Sequence, residues 1–213
     1  MSKGGIDVKN YKKALCLILA LCLAFSVGCS SDKESEKTGV HSSEKIVSSS
    51  AEAVHTKVCF EVENYGIFTV ETYPEYAPES VAHFLNLVKS GYYNGMEFAK
   101  INPVHSLVSS DITVHSSGEC KETVTGEFYK NGFSNELPIT RGTLCFTYLP
   151  GEYNSAKAQF MIVLADDLGL DGEYAPFARI VENSGVFDEI VSTAINSDHS
   201  PVSPIVMKNV YVK

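Results

Sequence analysis

The sequence is short of basic residues and contains no tryptophan. Its 213 residues include 17 Lys and Arg against 26 Asp and Glu, which gives a formal net charge of −9. A nucleic acid is therefore not expected as a partner, because phosphate binding requires a surplus of Lys and Arg. Six cysteines are too few for a disulfide-dependent miniprotein of this length. The remaining composition, 44% hydrophobic and 20% charged, suits one ordinary globular domain with additional sequence.

The first 28 residues have the pattern of an export signal. Four lysines, ending in Lys13, precede an uncharged and mostly apolar run over 14–28. This run is shorter than the roughly 20 residues that a transmembrane helix needs. Its end, Gly28-Cys29, resembles the bacterial lipobox, where a signal peptidase cuts before a cysteine that receives lipid. We expect a lipoprotein signal peptide over 1–28 and lipidation of Cys29; the alternatives are an uncleaved anchor, or a secretory signal with an incidental cysteine.

Residues 29–54 form a second segment, which is rich in Ser, Glu and Lys and has no Phe, Tyr or Trp. Such a segment cannot bury enough apolar surface to offset the entropy lost on ordering. We therefore expect a flexible tether between the lipidated Cys29 and a folded domain. The expected location is a bacterial cell membrane, with the lipid-anchored chain facing outside the cytoplasm. Without residues 1–28 the chain keeps 13 basic and 25 acidic residues, a net charge of −12.

Short runs of alternating apolar and polar residues fill the third segment, 55–213, as is typical of strands. The predicted strands cover 58–62, 67–73, 97–101, 106–110, 143–147, 159–164, 176–181 and 205–212. One helix is predicted between Pro78, which suits the first helical position, and Gly91, a natural stop. A second is predicted over 186–195. Many short strands with two isolated helices indicate a mainly antiparallel barrel with helical caps.

Three cysteines lie in the third segment: Cys59, Cys120 and Cys145. At most one disulfide can form among them, which would leave one thiol free. The sequence does not select a pair. Small buried apolar residues are the favoured interpretation of all three, because a free cysteine packs as a small apolar group.

Seven short segments between Phe68 and Val212 carry a more specific pattern. They are 77–84, 91–98, 126–128, 141–144, 154–162, 170–177 and 185–186. In this order they resemble the bacterial cyclophilins, the family of peptidyl-prolyl cis-trans isomerases. The resemblance implies a mainly β fold, a closed antiparallel eight-stranded barrel capped by two α-helices.

The resemblance also implies two catalytic positions. Cyclophilins use an arginine in a Phe-His-Arg segment to donate a hydrogen bond that favours the twisted prolyl amide. The matching segment here is Phe98-Ala99-Lys100, so Lys100 stands at the donor position. Lysine keeps the charge but loses the planar, two-pronged donor of arginine. Gln159 is retained at a position that hydrogen-bonds the substrate backbone.

The implied proline pocket is altered on one side. His105 and Ser106 replace a pocket phenylalanine and methionine, and Val108 replaces the glutamine that supports the donor. On the other side the apolar character is kept. The peptide-binding pocket implied by the resemblance consists of Phe98, His105, Phe146, Met161, Leu170 and Tyr174.

These features predict a membrane-anchored, extracytoplasmic peptidyl-prolyl isomerase that assists the folding of exported proteins. Its expected partners are proline-containing polypeptides and the membrane, and a monomer is expected. The alternative is a non-catalytic module of the same fold that binds proline-containing peptides or a surface partner. No cofactor or metal is expected, since His105, Asp111 and His115 match no standard ligand spacing.

Overall fold

The computed structural model describes residues 53–109, 118–166 and 169–213, which contain eight strands, two α-helices and one short 3-10 helix, Tyr129–Asn131. The strands are β1 Lys57–Val62, β2 Gly66–Thr72, β3 Met96–Asn102, β4 Ser106–Ser109, β5 Thr143–Phe146, β6 Phe160–Val163, β7 Pro176–Glu182 and β8 Val206–Val212. The helices are α1 Pro78–Lys89 and α2 Ser184–Val191. The predicted signal peptide over 1–28, the lipidated Cys29, nearly all of the tether, Asp111 and His115 lie outside the described residues.

The eight strands close into a barrel in the order β1-β2-β7-β5-β6-β4-β3-β8, and every pairing is antiparallel. The predicted fold class is therefore confirmed. The first hairpin turns at Asn64, whose backbone is in the left-handed region at φ 66°, and Val62 lies opposite Gly66. Alternate residues of β1 point inward because a strand presents successive side chains to opposite faces.

Aromatic side chains fill the barrel interior. Phe60 stacks on Phe68 at 4.9 Å between ring centroids, and Phe84 of α1 lies 5.1 Å from Phe177. Phe160 meets Phe60 edge to face at 5.9 Å. Aromatic pairs at these distances add to the stability gained by burying each ring, so the interior is held by rings from β1, β2, β6, β7 and α1.

Helix α1 begins as predicted and carries a cap that the sequence pattern does not reveal. Pro78 occupies its first turn, and Val81, Phe84 and Val88 are buried against the barrel. The buried carboxylate of Glu127, which is far along the chain, accepts hydrogen bonds from the Glu79 amide at 2.9 Å and the Ser80 amide at 2.8 Å. The first amides of a helix have no partner within the helix, and this carboxylate satisfies two of them.

Helix α2 is shorter than predicted and begins earlier. It runs from Ser184 to Val191 rather than over 186–195, and Phe187 and Ile190 are its buried residues. The Ser192 amide donates to the carbonyls of Asp188 and Glu189, and the Thr193 amide donates to the Ile190 carbonyl three residues back, so the α-helical pattern stops there. No helix within the described ranges is long and apolar enough to span a membrane.

All three described cysteines are free and buried. Cys59 and Cys145 lie on strands β1 and β5, and Cys120 lies in the loop before β5. Burial raises the pKa of the Cys145 thiol, and the nearby carboxylate of Asp171 acts in the same direction. The interpretation of these residues as small buried apolar groups is confirmed, and Cys145 is a poor nucleophile because the thiolate is the reactive form.

Candidate functional site

Lys100 and Met161 lie in one transverse row on the outer face of the barrel. Lys100 is paired with Val108 across β3 and β4, Val108 with Met161 across β4 and β6, and Met161 with Cys145 across β6 and β5. Directly opposed residues in an antiparallel sheet have side chains on the same face. The donor position and one pocket position are therefore two strands apart, roughly 10 Å at the usual strand spacing.

A second apolar cluster covers this face and is separate from the interior of the barrel. We call it the outer patch; it consists of Ile139, Cys145, Met161, Val163 and Leu170, with Tyr174 packed against it. Two residues of the outer patch, Met161 and Leu170, belong to the predicted pocket, and they are only 4% and 6% exposed. The outer patch thus offers a largely closed apolar floor, rimmed by the half-buried Tyr174.

Lys100 is engaged by a loop that the sequence pattern does not single out. Its ammonium nitrogen donates to the Asp198 carboxylate at 2.9 Å and to the Asp198 carbonyl oxygen at 2.9 Å. The Ser200 hydroxyl donates to the same carboxylate at 2.6 Å. The hydrogen bonds from Ser200, followed by that from Lys100, hold the pKa of Asp198 well below its usual range. Asp198 is therefore a carboxylate counter-ion to the predicted donor.

Gln159 is fixed in the barrel wall by two hydrogen bonds. Its Oε1 accepts from the Thr147 hydroxyl at 2.7 Å, and its Nε2 donates to the Ser109 carbonyl at 3.3 Å. A primary amide has two N–H donors and an oxygen with two lone pairs. One N–H and one lone pair therefore remain for a bound peptide, while the orientation of the amide is already set.

Two predicted pocket residues point the other way. Phe98 is 1% exposed and lies edge to face with Phe160 at 6.4 Å, and Phe146 stacks on Phe177 at 4.7 Å. Both belong to the interior core. This corrects the predicted pocket, because side chains inside the barrel cannot line a cleft on its outer face.

His105 lies in the turn between β3 and β4, at one end of the outer face. Its carbonyl accepts a hydrogen bond from the Leu164 amide at 2.9 Å, which ties the turn to the end of β6. The next residue, Ser106, is paired with Val163 of the outer patch. The predicted pocket residues that the structure brings together on the outer face are Met161, Leu170 and Tyr174.

An aromatic strip continues from Tyr174 away from Lys100. Tyr174 lies 5.1 Å from Tyr148, and Tyr148 stacks on Phe128 at 5.3 Å and meets Tyr153 at 5.7 Å. The Tyr148 hydroxyl donates to the Glu173 carbonyl at 2.9 Å. Burial is the main cause that raises the pKa of both Tyr148 and Tyr174, so both hydroxyls stay neutral at ordinary pH and act as hydrogen-bonding groups.

A cavity of about 220 Å³ adjoins the outer patch through Ile139. Asp171 also lines it, and its carboxylate accepts a hydrogen bond from the Ile139 amide at 2.8 Å. Within the described ranges, no group of three His, Cys, Asp or Glu residues could hold a metal ion. What this face offers chemically is an ammonium, a fixed amide and apolar surface.

The family model described as cyclophilin type peptidyl-prolyl cis-trans isomerase/CLD matches residues 57–212. Peptidyl-prolyl cis-trans isomerase B of Escherichia coli K12 is 30% identical over 164 residues, which cover 70% of this chain and 95% of that protein. A peptidyl-prolyl cis-trans isomerase of Acinetobacter baylyi is 31% identical over 159 residues, 70% of this chain and 82% of that protein. Peptidyl-prolyl cis-trans isomerase-like 2 of Gibberella zeae is 29% identical, and the chain spans only 25% of its length.

Solved structures show the same fold. A crystal structure of a cyclophilin type peptidyl-prolyl cis-trans isomerase from Cryptosporidium parvum superposes with a TM-score of 0.66 at 22% identity, covering 75% of this chain and 98% of that one. A second structure of that protein, in the presence of the dipeptide Ala-Pro, gives a TM-score of 0.65. At this level of identity the likeness concerns the fold alone.

Proposed function

Because the chain belongs to the cyclophilin-type peptidyl-prolyl cis-trans isomerase family, we propose that it isomerises prolyl bonds of exported polypeptides at the outer side of a bacterial membrane. The observation that carries the proposal is the row in which Lys100 and Met161 share the outer face. A cation and an apolar floor on one face are what a prolyl peptide requires: the floor holds the ring, and the cation reaches the amide.

The chemistry needs no covalent step. Rotation about a prolyl bond breaks amide resonance and faces a barrier of roughly 18–20 kcal/mol. In the twisted amide the nitrogen lone pair is free to accept a hydrogen bond, whereas in the planar amide it is delocalised. A donor aimed at that nitrogen therefore stabilises the transition state more than the ground state, which is the condition for catalysis. Lys100 is the proposed donor.

Gln159 and the outer patch provide the grip. The remaining N–H and lone pair of the fixed Gln159 amide are available to the client backbone. Met161, Leu170 and Tyr174 provide apolar surface for the proline ring, and His105 closes the end near β4. The Ala-Pro dipeptide used with the Cryptosporidium parvum protein supports a client that presents an alanyl-prolyl bond.

The experiment compares the full-length protein with Lys100→Arg and Lys100→Ala, using magnetisation exchange between the cis and trans signals of an Ala-Pro peptide. Arginine restores the planar donor, so Lys100→Arg should raise kcat/KM. Lys100→Ala should lower it, by up to about the 10²–10³-fold that loss of one oxyanion-hole donor costs. An exchange rate equal to the spontaneous one in wild type and Lys100→Arg would refute the isomerase.

The second candidate function is a module of this fold that binds proline-containing segments without turnover. It is favoured by one observation: the donor ammonium is already engaged by Asp198. In that case the same peptide should shift the NMR signals around Gln159 and Leu170 without enhancing exchange. Absence of any shift at these residues would argue against both candidates.

Membrane anchoring is the part of the proposal supported by the sequence of residues 1–54. A basic start, an apolar run and Gly28-Cys29 together predict processing before Cys29 and lipid attachment. Replacing Cys29 by Ala should release the protein from the membrane fraction or leave it unprocessed, whereas Cys22→Ala, inside the apolar run, should not. Unchanged membrane fractionation and unchanged mass in Cys29→Ala would contradict the lipid anchor.

A further inference from the structure

The loop over 196–201, between α2 and β8, lies along β3 and reaches Lys100; we call it the latch loop. The Ile101 amide donates to the His199 carbonyl at 2.8 Å, next to the two hydrogen bonds between Lys100 and Asp198. The loop therefore contacts β3 at two successive residues. One contact fixes the backbone, and the other engages the side chain that the proposed reaction uses.

The latch loop is ordered by its own hydrogen bonds. The Asn196 amide donates to the Ser200 carbonyl at 2.8 Å, and the His199 amide donates to the Asn196 carbonyl at 3.0 Å. The Ser200 amide and hydroxyl both donate to the Asp198 carboxylate, at 3.1 Å and 2.6 Å. The carboxylate is therefore held in place independently of Lys100, and the loop presents it as a fixed acceptor.

Lys100 has limited capacity left for a client. An ammonium group has three N–H donors, and two of them point at Asp198. The Asp198 carboxylate also offsets the positive charge of Lys100, which would otherwise stabilise the lone pair on the prolyl nitrogen in the twisted amide. The pair is nevertheless open to solvent, with Lys100 47% and Asp198 63% exposed, and exposed ion pairs are weak and sensitive to salt.

We propose that Asp198 is a positioning residue that withholds Lys100 from the client in the free protein, so that a client must displace or share the Asp198 carboxylate before Lys100 can donate to the prolyl amide. This inference rests on the proposed role of Lys100. The latch loop then determines how readily the donor is released. A weak, exposed pair suits this role, because a client can displace it at small cost.

The test is Asp198→Asn in the full-length protein. Asparagine keeps the shape, the backbone carbonyl that accepts from Lys100, and an oxygen for Ser200, but it removes the counter-charge. We expect kcat/KM for the Ala-Pro peptide to rise, by up to about fivefold at about 0.05 M NaCl, since exposed pairs are worth at most about this factor. In wild type kcat/KM should rise between about 0.05 and 0.5 M NaCl as the pair is screened, and in Asp198→Asn this salt dependence should disappear.

The matched control is Glu61→Gln. Glu61 pairs with Lys208 at 2.7 Å, in an ion pair that is also exposed on the lysine side. The substitution therefore changes the net charge equally, on β1, a strand that does not pair with β3. It should leave kcat/KM and its salt dependence as in wild type. An equal rise in Glu61→Gln would show that net charge is responsible and would overturn the role of Asp198.

A second readout does not require turnover. The rate at which an amine-directed reagent acetylates Lys100, measured by mass spectrometry relative to the exposed Lys89, should rise several-fold in Asp198→Asn. An unchanged rate would overturn the latch. A raised acetylation rate together with a lower kcat/KM would overturn the withholding role, because Asp198 would then assist the donor. A raised rate without measurable isomerisation in either protein would support the latch and refute the isomerase.

Discussion

Among all Glu→Gln and Asp→Asn substitutions at the described residues, Glu127→Gln should destabilise the barrel most. Glu127 is 1% exposed and accepts three hydrogen bonds: from the Glu79 amide at 2.9 Å, the Ser80 amide at 2.8 Å and the Ser80 hydroxyl at 2.6 Å. Glutamine retains one oxygen but turns an NH₂ group toward a donor. At least one amide in the first turn of helix α1 then loses its acceptor.

The magnitude follows from these contacts. Leaving a buried donor without a partner costs about 1–3 kcal/mol. Loss of negative charge at a helix N-terminus costs about 0.3–1 kcal/mol, and up to about 2 kcal/mol where the site is partly buried. We therefore expect Glu127→Gln to lower the free energy of unfolding by about 1–5 kcal/mol. For a domain of this size that corresponds to a fall in Tm of roughly 2–20 °C.

Equilibrium unfolding in urea, followed by circular dichroism, measures this loss; the chain has no tryptophan whose fluorescence could serve. Ser80→Ala removes one of the three donors and should cost about 1 kcal/mol. The control is Glu136→Gln, an exposed glutamate in the same loop region, which should change stability by less than about 0.5 kcal/mol. A loss below about 1 kcal/mol in Glu127→Gln would contradict the cap.

Three further outcomes follow from single contacts. Phe160→Ala should lower the free energy of unfolding by about 3–5 kcal/mol in urea titrations, because this ring is fully buried. Gly126→Ala should also destabilise, since an added Cβ would lie 2.3 Å from the Tyr153 carbonyl oxygen. Thermal unfolding measures the loss, and the control is Gly185→Ala, where an added Cβ meets nothing within 4 Å and the backbone is not left-handed. Hydrogen bonds from Lys213 and Lys57 lower the pKa of Glu182 to about 2. The stabilisation from this depressed pKa is present above the ordinary value of 4.5 and is lost as the pH falls toward 2, so the drop in Tm between these pH values should be smaller in Glu182→Gln.

The first helix and most strands could be predicted from local pattern, because they bury one face and leave the other more polar; β5 and β6 are buried throughout and were predicted as short apolar runs. The closed order of the strands could not, since alternation carries no information on which strands pair. That order came from the resemblance of seven segments to a known family. The predicted end of α2 was wrong because Val191 and Ala194 continue the apolar stripe in the sequence. In the structure the Thr193 amide donates to the Ile190 carbonyl, three residues back, and the α-helical pattern stops there.

The assignment of faces was the main failure at the site, and it has two physical causes. A bulge lies between Phe98 and Lys100, which are paired with the adjacent residues Ser109 and Val108. In a regular strand residues two apart share a face, but the extra residue of a bulge puts these two on opposite faces. All four residues of β5 are buried, so the two faces of this strand do not differ as an exposed and a buried face do. The sequence therefore could not indicate that Phe146 points inward.

Asp198 could not be predicted, because 98 positions separate it from Lys100 and no motif marks the loop. An ammonium needs hydrogen-bond acceptors, and the latch loop supplies two of them to Lys100. The register that creates this arrangement is fixed by inward residues such as Ile101 and Leu107. The barrel can therefore keep its fold while the outward residues of β3 and β4 change, so the proposed activity would depend on the state of Lys100 rather than on the fold.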